Sequence, residues 1–121
     1  KESDIYPVPC PGLADYVEKG IFDGEEITEF LKGLLAPSLE KHVDAIVLGC
    51  THYPFVEKVI QRIVGPDVKI FNGAHGTALE LQRRLRIAEL LTPSIEKGSV
   101  EFYSSSTNPK TIKLCHQLFE A

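Results

Sequence analysis

The sequence predicts an α/β fold built on a parallel sheet. Two observations carry that class. Asp44-Ala-Ile-Val-Leu-Gly49 is a continuous apolar run ending in glycine, which suits a strand buried on both faces. Strand-like runs also alternate with stretches whose apolar residues recur at helical spacing. The length of 121 residues allows one compact domain, or one and a fragment, with a real core.

In chain order, Tyr6-Pro-Val-Pro-Cys-Pro11 is too rich in proline for a central strand and reads as an extended segment entering a loop. Ile27, Phe30, Leu31, Leu34 and Leu35 then form one apolar helical face. Asp23 with Glu26 has the spacing to cap its start, and Pro37 limits or kinks its end. After the 44–49 strand, Phe55, Val56, Val59, Ile60 and Ile63 make a second helical face, opened by Pro54. Gly65-Pro66-Asp67 turns the chain into a short strand, Val68-Lys-Ile-Phe71. Asn72-Gly-Ala-His-Gly76 is the linker candidate. Thr77-Ala-Leu-Glu80 has capping-box spacing and leads into a helix through Leu81, Leu85 and Ala88. Val100-Glu-Phe-Tyr103 alternates and reads as a third strand. Asn108-Pro109 opens a last helix with Ile112, Cys115, Leu118 and Phe119 inward.

Composition narrows the function classes. Lys plus Arg total 13 and Asp plus Glu 17, giving 13 − 17 = −4, without a basic run. Nucleic acid is therefore not the expected partner, because phosphate binding needs clustered Lys and Arg. No apolar stretch approaches the roughly 18 residues of a membrane span. The start at Lys1 and the lack of any Met suggest an interior cut from a longer protein. Cys10, Cys50 and Cys115 are odd in number and contain no CxxC pair, so a reducing, cytoplasmic setting is expected.

In open parallel sheets, ligands sit where strands end and helices begin. Gly49-Cys50-Thr51-His52-Tyr53-Pro54 lies at such a junction. A helix N-terminus favours thiolate over thiol and lowers a cysteine pKa from about 8.5. Thr51 brings a hydroxyl for a carboxylate, and His52 can hold or deliver a proton at neutral pH. Three other readings stand beside this one. Cys50 could simply continue a buried strand. Cys50 and His52 are both metal-ligand types, but Cys10, His42, His75 and His116 lack ligand spacing, so no metal is expected. A Cys–His hydrolase would need an orienting Asn or Asp that nothing singles out.

The segment Val47-Leu-Gly-Cys-Thr-His-Tyr-Pro54 resembles the signature around the second catalytic cysteine of bacterial glutamate racemases. Cys10-Pro11 followed by Val17-Glu18 and Lys19-Gly20 keeps the spacing of the family's Cys-Pro…Val-Glu stretch. Related aspartate and hydantoin racemases share the Gly-Cys-Thr or Gly-Cys portion. The resemblance implies a three-layer α/β racemase fold, present as a partial chain. It also implies a cofactor-independent, two-base mechanism at the α-carbon of glutamate, supplying D-glutamate for peptidoglycan and hence for cell shape. By resemblance Cys50 is one base, His52 assists its proton transfer, and Thr51 binds substrate. Glu18 matches the acidic residue near the same site, which by resemblance binds the substrate amine or tunes a protonation state.

The departures matter as well. The family's first cysteine lies in a Cys-Asn-Thr-Ala segment, and an Asp-Ser-Gly-type loop also contacts substrate; neither occurs here. Asp15 stands where proline is frequent, and Asn72 near a frequent acidic position. Cys10 and Cys115 are not in the context of the missing base, though Cys10 is a candidate neighbour of the site. On the family pattern, residues 1–72 are the latter part of the second domain and residues 73–121 return to pack on the first. The expected partner is then the absent N-terminal half, or failing it a homodimer or exchanged dimer. Two alternatives remain: another amino-acid or hydantoin racemase of the superfamily, and a non-catalytic binding module.

Overall fold

Where the extended proline segment ends, Gly12 takes a left-handed turn with φ +85° and the first helix, α1 (Leu13–Glu18), begins. Only the pair Leu13 and Val17 marks this helix in the sequence, too little periodicity to predict it. An alanine Cβ at Gly12 would meet only Phe30 Cζ, at 3.9 Å, which is ordinary contact. The left-handed backbone alone therefore sets the cost of Gly12→Ala, and the urea midpoint of the first unit should fall by the equivalent of about 1 kcal/mol. An unchanged midpoint would mean that this turn is not fixed.

The structure, a computed structural model, describes residues 3–120; the start at Lys1, read above as an interior cut, lies outside them. After α1 come α2 (Glu25–Leu39), β1 (Ala45–Leu48), a 3₁₀ turn (Tyr53–Val56), α3 (Glu57–Val64), β2 (Lys69–Asn72), α4 (Ala74–Ile87) and α5 (Pro109–Glu120). The two strands pair through the crossover helix α3 in a small parallel sheet, so the class is α/β as expected. The chain forms two compact units, one up to Phe71 and one from Asn72 onward.

The core of the first unit follows the helical spacing. Leu13 and Val17 of α1, Ile27, Leu31 and Leu35 of α2, Leu48 of β1, and Val56, Val59 and Ile60 around α3 are all buried. Helix α2 packs on α3, and α1 packs on the 3₁₀ turn. Aromatic pairs seal the edges: Tyr16 and Phe30 lie 4.9 Å apart, Phe22 and Phe55 5.8 Å.

Several local expectations give way. Asp23 does not cap α2; its carboxylate accepts from the Gly24 amide at 2.7 Å and pairs with Arg62 of α3. That guanidinium, followed by the Gly24 N–H, holds the Asp23 carboxyl below its ordinary range. Pro37, by contrast, does lie at the limit of α2, which ends two residues later at Leu39. Strand β1 is not covered on both faces: Leu48 is buried while Val47 is 75% exposed, since two strands cannot supply a second layer.

In the second unit, α4 starts at Ala74, so His75 and Gly76 are helical rather than linker. Thr77 sits one turn inside the helix, and the Ala74 amide is taken by the Asn72 side chain at 3.1 Å. Val100–Tyr103 is not a strand, because among the described residues it has no strand to pair with. Instead Phe102 packs on His116 and Phe119 of α5, at 4.8 and 5.8 Å between centroids. Asn108 does open α5, accepting the Lys110 amide at 3.0 Å. No residue of α4 or α5 is buried, and Cys115 and Ile112 are only half-buried.

Candidate active site

Strand β1 delivers Gly49-Cys50-Thr51-His52 to the start of the 3₁₀ turn, where the Tyr53 amide donates to the Cys50 carbonyl at 3.2 Å. The strand fixes where the segment begins, and Pro54 favours the helical φ of the turn that follows. The regular helix α3 begins only at Glu57, so Cys50 stands one turn further from its N-terminus than the sequence suggested.

Three of the sequence-derived residues come together. The sulfur of Cys50 lies 3.6 Å from Nδ1 of His52, and Nε2 of His52 lies 3.3 Å from Oε1 of Glu18. Glu18 is the last residue of α1, and packing of α1 on the 3₁₀ turn brings its carboxylate across. Both Cys50 and His52 are half-buried, whereas Glu18 is exposed.

The donor inventory fixes what this line can do. A carboxylate only accepts, so the proton on the Glu18 side belongs to Nε2. In the neutral ring Nδ1 then carries a lone pair toward the Cys50 thiol. In the imidazolium it carries a proton toward a thiolate. One geometry thus serves both protonation states, and a proton can pass between sulfur and ring without the side chains moving. Thr51, the fourth sequence-derived residue, is exposed beside Cys50 and its hydroxyl is not part of this line.

Two further residues belong to the site. The Tyr53 hydroxyl donates to the Cys10 sulfur, while the Cys10 thiol donates to the Val8 carbonyl at 3.3 Å. Burial pushes the Cys10 thiol up; the Tyr53 donor works against that, and negative charge on Cys50 adds to it. Burial likewise raises the Tyr53 phenol, followed by charge on the two cysteines. Tyr53 was given no role from the sequence, although its place next to His52 in the strand-to-helix loop was a usable signal. Among the described residues no group of three or more His, Cys, Asp or Glu is arranged to hold a metal ion. No described helix is long and apolar enough to cross a membrane. An open recess of about 440 Å3 is lined by Lys58, Gln61, Arg62, Gly65 and Pro66, none of them part of this site.

No protein-family model matches the sequence. Individual relatives do. The glutamate racemase of one Clostridium perfringens strain is 42% identical over 117 residues, 97% of this chain and 45% of that protein. That of Clostridium acetobutylicum is 39% identical over 120 residues, 99% of this chain and 46% of that protein. Among solved structures, glutamate racemase from Thermus thermophilus in complex with β-chloro-D-alanine has a TM-score of 0.73 at 31% identity, covering 90% of this chain and 41% of that one. The Francisella tularensis glutamate racemase in complex with D-glutamate has a TM-score of 0.78 at 25% identity, covering 93% and 42%. The chain therefore spans less than half the length of the curated relatives it matches.

Proposed function

The chain is homologous to a part of the glutamate racemases, and from that premise we propose that it is the C-terminal portion of a cofactor-independent racemase whose second base is Cys50. The observation that carries this reading is the line from Glu18 through His52 to Cys50, at 3.3 and 3.6 Å. Cys50 takes or returns the α-proton on one face of glutamate. His52 receives the thiol proton, and Glu18 fixes which ring nitrogen is free to do so. Thr51, exposed beside the sulfur, is placed to meet a substrate carboxylate. The two relatives bound to D-glutamate and β-chloro-D-alanine support an α-amino acid as substrate.

On this reading residues 1–72 are the latter part of a second α/β domain, and 73–121 return to a first domain that supplies the other cysteine. Exposed Leu79, Leu81, Ile87, Leu90 and Phe119 are the apolar surface that this first domain covers, or that a second copy covers in its absence. The parent enzyme acts in the cytoplasm and supplies D-glutamate for peptidoglycan.

The test is thiol reactivity in the folded chain. Timed alkylation with iodoacetamide, followed by peptide mass spectrometry, should modify Cys50 several-fold faster than Cys115, since an imidazole accepts its proton. D- or L-glutamate should slow Cys50 selectively. Equal rates for the two would count against Cys50 as the working thiol. Protection by aspartate or a hydantoin in place of glutamate would redirect the substrate within the superfamily.

A further inference from the structure

Cys10 and Cys50 occupy matching places at the start of two packed helical turns. The Leu13 amide donates to the Cys10 carbonyl at 3.2 Å, just as the Tyr53 amide donates to that of Cys50 at 3.2 Å. The elements that follow, α1 and the 3₁₀ turn, pack on each other, and charge on Cys50 reaches the Cys10 thiol. Tyr53 bridges them: it lies three residues beyond Cys50 and its hydroxyl donates to the Cys10 sulfur. The racemase reading gives Cys10 no task.

We propose that Cys10 is a resolving thiol for Cys50, converting peroxide oxidation of the reactive cysteine into a Cys10–Cys50 disulfide. The proposal rests on the reading of Cys50 as the reactive thiol. In the first step the Cys50 thiolate attacks one oxygen of hydrogen peroxide. The O–O bond breaks, hydroxide leaves, and Cys50 becomes a sulfenic acid. In the second step the Cys10 sulfur attacks the Cys50 sulfur. The S–O bond breaks and the leaving hydroxyl departs as water with the Cys10 proton. Two thiols are oxidised by two electrons, and one peroxide is reduced to two waters.

The surroundings divide the roles. Cys50 has an imidazole against its sulfur to take its proton and is the thiol that meets peroxide first. Cys10 is half-buried, and its thiol donates to the Val8 carbonyl, so it stays protonated and slow toward peroxide itself. Residues 3–10 form neither helix nor strand, so the backbone at Cys10 can close on Cys50 without breaking a hydrogen-bond ladder. The disulfide would block proton transfer at Cys50 reversibly and would prevent further, irreversible oxidation of that sulfur.

The experiment uses the purified 121-residue chain with hydrogen peroxide as the probe. Lys19, Lys32 and Lys41 separate the two cysteines on tryptic digestion, so a link is read directly by mass spectrometry. The expected result is loss of two of the three free thiols and a linked pair of peptides containing Cys10 and Cys50. The Cys10→Ser variant should instead accumulate a Cys50 sulfenic acid, trapped by dimedone, while Cys115→Ser should behave as the parent. A Cys50 sulfenic acid that persists equally with and without Cys10, or a link from Cys50 to Cys115, overturns the proposal. The iodoacetamide rates separate the two levels. Fast alkylation of Cys50 without capture by Cys10 sinks this inference alone, whereas slow alkylation of Cys50 sinks the reading of the site beneath it.

Discussion

Replacing Cys50 by alanine should lower racemisation of glutamate by about two to four orders of magnitude, the range that one positioned acid–base group contributes. The activity has to be measured in the assembled enzyme, with the chain co-expressed beside the N-terminal part of a related racemase. On the proposed reading the chain alone provides one base and should at most exchange the α-proton of glutamate with D2O, without inverting it. Robust inversion by the isolated chain would mean that Cys10 or another residue replaces the missing base.

The neighbours of Cys50 should grade the effect in the order of their distance from the sulfur. His52→Asn removes the group 3.6 Å from the sulfur and should cost less than Cys50→Ala but change the pH profile of kcat. Glu18→Gln keeps the shape and a possible partner for Nε2, yet no longer obliges that nitrogen to carry the proton. It should therefore cost less again, with rates falling because a part of the rings presents the wrong nitrogen to sulfur. A Glu18→Gln loss as large as that of Cys50→Ala would make Glu18 a direct participant rather than an orienting one.

Much of the fold was legible in the sequence, and the main failures each trace to a partner that lies far away in the chain or outside the described residues. The helical faces at 27–35 and 55–63 follow from spacing alone, because each finds its partner within the first unit. The third strand at 100–103 and the two-sided burial of β1 did not form, because a strand is stable only beside another and those neighbours are not in the described residues. The Asp23 cap failed for a long-range reason: its carboxylate goes to Arg62, 39 residues on, which no local spacing reveals. For the candidate site, the segment 47–54 singled out Cys50 and His52 and the Val-Glu spacing singled out Glu18, and these three side chains do lie in one line, while their roles belong to the proposal. The link from Tyr53 to Cys10 was invisible, since it depends on how α1 lies against the 3₁₀ turn.

Leu31→Ala should cost the first unit about 2–5 kcal/mol, the range for a buried leucine whose cavity cannot collapse fully. Leu31 sits mid-way along α2, 1% exposed, between Ile27 and Leu35 one turn away on either side. Alanine is the better helix former, so none of the loss can come from propensity and all of it reports packing against the rest of the core. Only nine apolar side chains are buried among the described residues, all between Leu13 and Ile60, so a loss of this size is a large part of a stability of about 5–15 kcal/mol. The urea midpoint should fall steeply and the Cys50–His52 geometry should go with it, since β1 and α3 hold that loop in place. Leu81→Ala supplies the contrast. Leu81 is 58% exposed on α4, and its loss should change the isolated chain by less than about 0.5 kcal/mol. Equal midpoints for the two variants would show that the core is not where the buried residues place it. A Leu81→Ala midpoint that falls only at high protein concentration would instead show that this apolar face is covered by a second copy of the chain.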